Sequence, residues 1–138
     1  MIVKPIRTGT INGHPVRFFK TPMSDGRPDF AWHSTDDLMK AANLTPEMQE
    51  YFLRSMKSDR GPLYRTVTTP DGLVTVAPHC AAQGFTRAMV AVGQVPASFP
   101  DEYLTASFEA DDALPIKDFD EIIAAFHRHS GATSKKVS

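Results

Sequence analysis

Apolar residues along this chain recur with two different periods, and the changes of period mark the elements. In IRTGTINGHPVRFFK, Ile6, Val16, Phe18 and Phe19 supply apolar surface on two arms separated by Asn12-Gly13. A two-residue type I′ turn needs positive φ at both positions, which Asn-Gly tolerates best, so the segment predicts a β-hairpin. Pro15 has no N–H, which places it on an edge strand or at the start of a strand. TPMSDGRP reads as a loop, and DFAWHS as a short extended piece leading out of it.

The period then becomes helical. Ser34 with Asp37 three residues on is a capping-box variant with Asp in place of Glu. The helix it starts, TDDLMKAANL, puts Leu38, Ala41 and Ala42 on one face, with Asn43 as its stop. Thr45-Pro46-Glu47 restarts the chain as cap, first helical residue and first-turn acid. In this second helix Met48, Phe52 and Met56 recur every four residues, flanked by Tyr51 and Leu53, a stripe that predicts core rather than a binding groove. SDRGP breaks the helix, and LYRTVTT and LVTVA follow as strands around the turn residues Pro70-Asp71-Gly72. Pro78 opens a third helix, HCAAQGFTRAMVAV, burying Ala82, Phe85 and Met89 and ending near Gly93.

SFPDEYLTASFEADDAL is a fourth helix, with Ser98 and Asp101 at its start. KDFDEIIAAFHRHSG is a fifth, with Gly131 as a natural C-cap. Its residues Phe119, Ile122, Ile123 and Phe126 follow the i, i+3, i+4, i+7 spacing of an amphipathic stripe. That stripe is buried in the protein's own core or across a two-fold homodimer. Together these elements predict a single α+β domain: a small antiparallel sheet from two hairpins packed with about five helices. Residues 1–95 form its core, 96–131 a C-terminal helical extension, and 132–138 a flexible polar tail.

Composition narrows the class. With 41% hydrophobic and 22% charged residues, the 138-residue chain has the make-up of one soluble globular domain. No apolar run approaches the roughly 20 residues that cross a bilayer, and the N-terminus has no secretory pattern. The single cysteine, Cys80, cannot form an internal disulfide, so a cytoplasmic location is expected. Residues 1–66 carry ten Lys/Arg and seven Asp/Glu, whereas residues 67–138 carry five and nine. A polyanion would therefore meet the first half, and a protein partner the acidic second half.

Candidate chemistry is sparse. The five histidines have no His-x-x-x-His spacing and there is no Cys-x-x-Cys, so neither a metal nor another cofactor is expected. No glycine-rich phosphate loop appears. Asp36-Asp37 suits a helix N-terminus, and Asp111-Asp112 a solvated face. A small enzyme would have to use His33 or Cys80, and the chain is expected not to be an enzyme. What remains is basic: Arg54 and Lys57, i, i+3 neighbours on the second helix, then Arg60 just beyond it and Arg65 on the next strand. Guanidinium and ammonium groups are what a phosphate backbone selects, and Gln49 or Arg54 could reach base edges of double-stranded DNA.

Trp32, Asp37-Leu38, Ala41-Ala42-Asn43-Leu44 and Thr45-Pro46, followed by the turn Thr69-Pro70-Asp71-Gly72 and the helix Ala82-Gln83-Gly84-Phe85-Thr86-Arg87-Ala88-Met89, resemble the Bro N-terminal domain of phage antirepressors and large DNA viruses. The resemblance covers roughly residues 10–92. It departs from the family pattern at Trp32-His33 and at Asp36, and the basic character is diluted. The whole chain also resembles small uncharacterised proteobacterial proteins. The Bro resemblance implies a small α+β DNA-binding domain in a phage- or plasmid-derived regulator; the contact residues expected from the charge pattern are Arg54, Lys57, Arg60, Arg65 and Gln49. The alternative expectation is a protein-interaction module, an inhibitor or adaptor, that never touches nucleic acid.

Overall fold

The computed structural model describes residues 1–23, 29–60, 63–114 and, beyond these, 120, 121, 123, 124, 126 and 127. The side chains of residues 59 and 60 lie outside that description, as do Phe119, Ile122, the Gly131 cap and the 132–138 tail. The elements are β1 (Arg7–Ile11), β2 (His14–Phe19), β3 (Trp32–Ser34), α1 (Thr35–Ala41), α2 (Pro46–Arg60), β4 (Arg65–Thr69), β5 (Gly72–Ala77), α3 (His79–Ala91) and α4 (Phe99–Asp111). They build an α+β domain with one five-stranded antiparallel sheet in the order β1-β2-β3-β5-β4.

The first hairpin turns at Asn12 (φ 51°) and Gly13 (φ 78°), both in the left-handed region that a type I′ turn requires. Its tip is tied down on two sides: Asn12 Nδ2 donates to the Ala41 carbonyl (2.8 Å) and the Asn12 N–H to Glu102 Oε1 (2.6 Å). Pro15 sits inside the sheet, on the strand between β1 and β3. Its missing N–H is tolerated because it is the second residue of β2, and β3 pairs only with Phe18 and Phe19.

The two hairpins do not make the sheet unaided. β3 is inserted between them, pairing His33 with Phe18 on one side and with Ala77 on the other. After three residues that strand gives way to α1, which continues along the lane between β2 and β5. This leaves the next N–H of each flanking strand without a strand partner, and buried donors must be satisfied. The paired aspartates do it. Asp37 Oδ2 accepts from the Arg17 N–H (3.0 Å) and Asp36 Oδ2 from the Thr75 N–H (2.7 Å). Asp37 also receives Nε and Nη2 of Arg17 at 2.7 and 2.9 Å, while its own N–H donates to the Ser34 hydroxyl cap (3.0 Å).

The N-terminal segment touches both ends of the sheet. The Ile6 N–H donates to Phe18 O beside β2, and the Val3 N–H donates to Thr68 O on β4 (2.8 and 2.7 Å). With Ile2 bridged in parallel to Thr68, the sheet curls until the chain that becomes β1 covers the β4 edge. Edge strands otherwise expose unpaired donors and acceptors, so this closure protects the fold.

Two apolar clusters lie on opposite faces. Phe19, Trp32, Val74 and Val76 form the smaller one, with Val3, Met23 and Val67 against it. Val16, Phe18 and Ile11 face the other way, into the larger core built with Leu38, Met39, Phe99 and Tyr103 from the helices. α4 lies so close on β1 that a Cβ at Gly9 would stand 2.8 Å from Ala106 Cβ, so only glycine fits there.

One predicted stripe is corrected. Met48 is not buried with Phe52 and Met56: it is 39% exposed and Tyr51 is 65% exposed. The half-buried face of α2 is instead Gln49, Phe52, Leu53 and Met56, a better i, i+3, i+4, i+7 match to a straight helix than strict four-residue steps.

Candidate functional site

α2 is held less firmly than the other helices, since none of its described side chains is fully buried. It follows α1 after a tight reversal in which Asn43 takes φ 62° and Gln49 Nε2 donates back to the Leu44 carbonyl (2.8 Å). Thr45 caps the new helix through the Met48 N–H (3.2 Å). Phe52 then meets Phe85 of α3 edge to face, with ring centroids 6.2 Å apart. Beside this contact residues of the two helices line a groove of about 530 Å³.

The groove is walled by Phe52, Met56, Tyr64, Phe85 and Met89. On the α3 side it includes exposed Gly84, where an added Cβ would meet nothing within 4 Å. Thioether and aromatic side chains make the adaptable apolar part of the lining, and Ser55 and Gln83 add polar groups. By helical geometry, about 100° per residue, Met48 falls on the same side of α2 as Phe52 and the lining residue Ser55, and both Met48 and the neighbouring Tyr51 are exposed. Arg87, the one Lys, Arg, Asp or Glu in α3, also lines it.

The basic residues singled out from the sequence are dispersed. Arg54 and Lys57 are exposed and project from the side of α2 away from the groove, about 140–200° round from Phe52. Arg54 lies 3.9 Å from Glu50 one turn earlier, in an exposed and therefore weak pair. Arg65 shares its strand face with Val67, and its Nη2 donates to Met23 Sδ (3.5 Å). It therefore leaves the sheet on the face opposite to the one α2 packs against. Gln49 is engaged with Leu44, as above, and the Arg60 side chain lies outside the described residues.

Three acidic residues of the second half are used within the molecule. Glu109 meets Arg7 at 3.4 Å, Glu102 receives Asn12, and Asp111 Oδ1 accepts from the Ala31 N–H (2.8 Å).

His33 and Cys80 differ in access. His33 is buried beneath α3 and α4, edge-on to the Tyr103 ring, and its Nδ1 and the Tyr103 hydroxyl are hydrogen-bonded at 3.3 Å. Tyr103 also carries the stacked ring of His79, with centroids 5.6 Å apart. Burial lowers the His33 imidazole to a pKa of about 3, with nearby His79 adding to the effect, so His33 stays neutral. Burial also raises the Tyr103 phenol, which keeps its proton. Cys80 is half-buried in the first turn of α3 and borders the groove. Among the described residues no group of three or more His, Cys, Asp or Glu is placed to hold a metal ion, and no helix is long and apolar enough to cross a membrane.

Sequence reasoning missed the groove. Its signal in the sequence was the row of small residues Ala81, Gly84 and Ala88 on one face of α3. No protein-family model, no curated protein and no solved structure matches the chain.

Proposed function

We propose that this protein is a non-catalytic interaction module that holds an amphipathic helix of a partner protein in the groove between α2 and α3. The groove itself carries the reading: methionine and aromatic side chains line it together with the polar Ser55, Gln83 and Arg87, open space stands over Gly84, and Met48 and Tyr51 are exposed on the same helix as Phe52 and Met56. Helix-in-groove recognition uses apolar anchors at i, i+3, i+4 and i+7, and such anchors match a channel walled by two helices. Arg87 supplies the only charge on α3, so the partner helix carries an Asp or Glu within a turn of its anchors. Capture of a regulator's helix is the task of an inhibitor or adaptor, and it needs neither metal nor cofactor.

The test is a photo-crosslinking amino acid placed at Gly84, where the structure offers open space. The expected result is one main adduct in the native cell. Mass spectrometry should map it to a segment with helical apolar spacing and an adjacent acid, and Arg87→Glu should abolish it. The absence of an adduct, or adducts spread over unrelated surfaces, refutes the reading.

A second reading is favoured by a separate observation: Arg54 and Lys57 stand exposed, i, i+3, on the opposite side of the same helix. There they can meet the phosphates of duplex DNA, as the resemblance to antirepressor domains implies. Changing both to Ala should weaken a mobility shift and reduce its salt slope by about one unit per lost phosphate contact. A wild-type protein giving no shift at low salt eliminates this reading and leaves the groove untouched.

A further inference from the structure

A second cavity, of about 220 Å³, lies on the other side of the first turn of α3, toward α4. Three aromatic rings surround it, Phe30, Phe108 and Phe126, and its polar wall is made by His79, Gln83 and Asp111. Phe108 remains 60% and Phe126 53% exposed, so these rings border an opening instead of completing the core. The Gln83 amide nitrogen and His79 Nε2 are already bonded to each other at 3.2 Å. Asp111 contributes a carboxylate whose Oδ1 is occupied by the Ala31 N–H. Among the described lining residues there is one carboxylate and no lysine or arginine.

Large pockets for drug-like molecules are mostly several hundred Å³, so this one suits only a small group. Its chemistry selects a positive one. The faces of aromatic rings attract cations, most strongly where water is partly excluded, and the carboxylate adds a full opposite charge. Among the described lining residues an anion would meet Asp111 with no counter-charge, and a neutral apolar group would leave that charge without an opposite one.

We propose that this cavity binds a small organic cation, an alkylammonium head seated among Phe30, Phe108 and Phe126 with its charge toward Asp111. The site is separate from the groove reading and does not depend on it. The state of Asp111 agrees with it. Burial pushes that carboxyl up to about 6, a hydrogen bond from Ala31 opposes the shift, and the charges of Asp112 and Asp29 add to it. A bound cation relieves the cost of keeping this half-buried group ionised.

The experiment follows backbone amide shifts of Ala31, His79, Gln83 and Asp111 while the full chain is titrated with choline or with its neutral isostere, 3,3-dimethyl-1-butanol. The expected result is saturable binding of choline, at least about tenfold tighter than the alcohol. Asp111→Asn keeps an acceptor for the Ala31 N–H and should weaken choline about tenfold with little effect on the alcohol. Phe108→Ala, at an exposed ring, should weaken choline while leaving the amide spectrum folded. A parallel titration with Nα-acetyl-trimethyllysine amide separates sources: tighter binding than choline assigns the head to a partner's lysine side chain, and weaker binding assigns it to a free amine. Absence of saturable shifts with either cation at millimolar concentration overturns the proposal. So does equal affinity for the neutral isostere, or an Asp111→Asn variant that binds choline as well as the wild type.

Discussion

Acid should destabilise this domain through His33, and the structure sets both the sign and the size of the effect. The ring is 2% exposed, lies against Tyr103, and has its pKa held near 3 by burial first and by His79 second. In the unfolded chain the same imidazole titrates near 6.5. Between these two values the unfolded state binds a proton that the native state refuses. Stability is therefore complete above about pH 6.5 and is lost as pH falls toward 3, by up to about 1.4 kcal/mol per pH unit. Integrated from pH 7 to pH 5, one such group removes about 2 kcal/mol. Asp111 acts in the opposite direction. Its folded pKa is about 6 against 3.8 unfolded, so between those values the native state holds the extra proton and gains stability as pH falls. Because that carboxyl is partly in solvent, its contribution is well below the full linkage value.

Urea denaturation of wild type, His33→Gln and Asp111→Asn at pH 7, 6 and 5 separates the two. The advantage of wild type over His33→Gln should shrink by about 2 kcal/mol from pH 7 to pH 5. Asp111→Asn should lose stability more steeply than wild type over the same interval. A wild-type to His33→Gln difference that stays constant with pH would falsify the assignment of His33 as a neutral, buried group.

Three further outcomes rest on single contacts. Asp37→Ala strips the acceptor from the Arg17 N–H, Nε and Nη2 and should cost about 2–4 kcal/mol in denaturant unfolding, with Asp37→Asn recovering part of the loss. Gly9→Ala drives a methyl group against Ala106 and should cost about 1–3 kcal/mol, partly restored when Ala106 is changed to Gly, as thermal melts can show. Gly84→Trp fills open space in the groove, so it should leave unfolding within about 0.5 kcal/mol of wild type while blocking the partner contact, measured by competition with the crosslinked complex.

What could be read directly from the chain is local. Asn12-Gly13 specifies its hairpin because two consecutive positive φ values exclude most other residues. Ser34 and Thr45-Pro46 mark helix starts because their side chains or missing N–H groups suit the first turn wherever it lies. Two hairpins, a series of helices and an α+β class follow from such signals. They also account for the elements that frame the groove, though not for the groove.

The rest depended on partners far away in sequence. Asp36 and Asp37 look like ordinary first-turn acids; their task at the Thr75 and Arg17 N–H groups exists because α1 occupies the lane that β3 vacates. Asp111, which reads as part of a solvated pair with Asp112, is half-buried because the chain at Ala31 crosses the end of α4. Met48 and Gln49 exchange the roles their spacing implies, since which face of α2 is buried depends on how the helix meets Leu44 and α3. The basic residues were adjacent on paper, but Arg65 belongs to a strand whose alternation sends it to the opposite face of the sheet from α2. A cap or a turn is satisfied by atoms a few residues away, so its chemistry is written in the local sequence. A groove, a buried carboxylate or a continuous charged face is a relation between elements, and it exists only once long-range packing has set their distance and rotation.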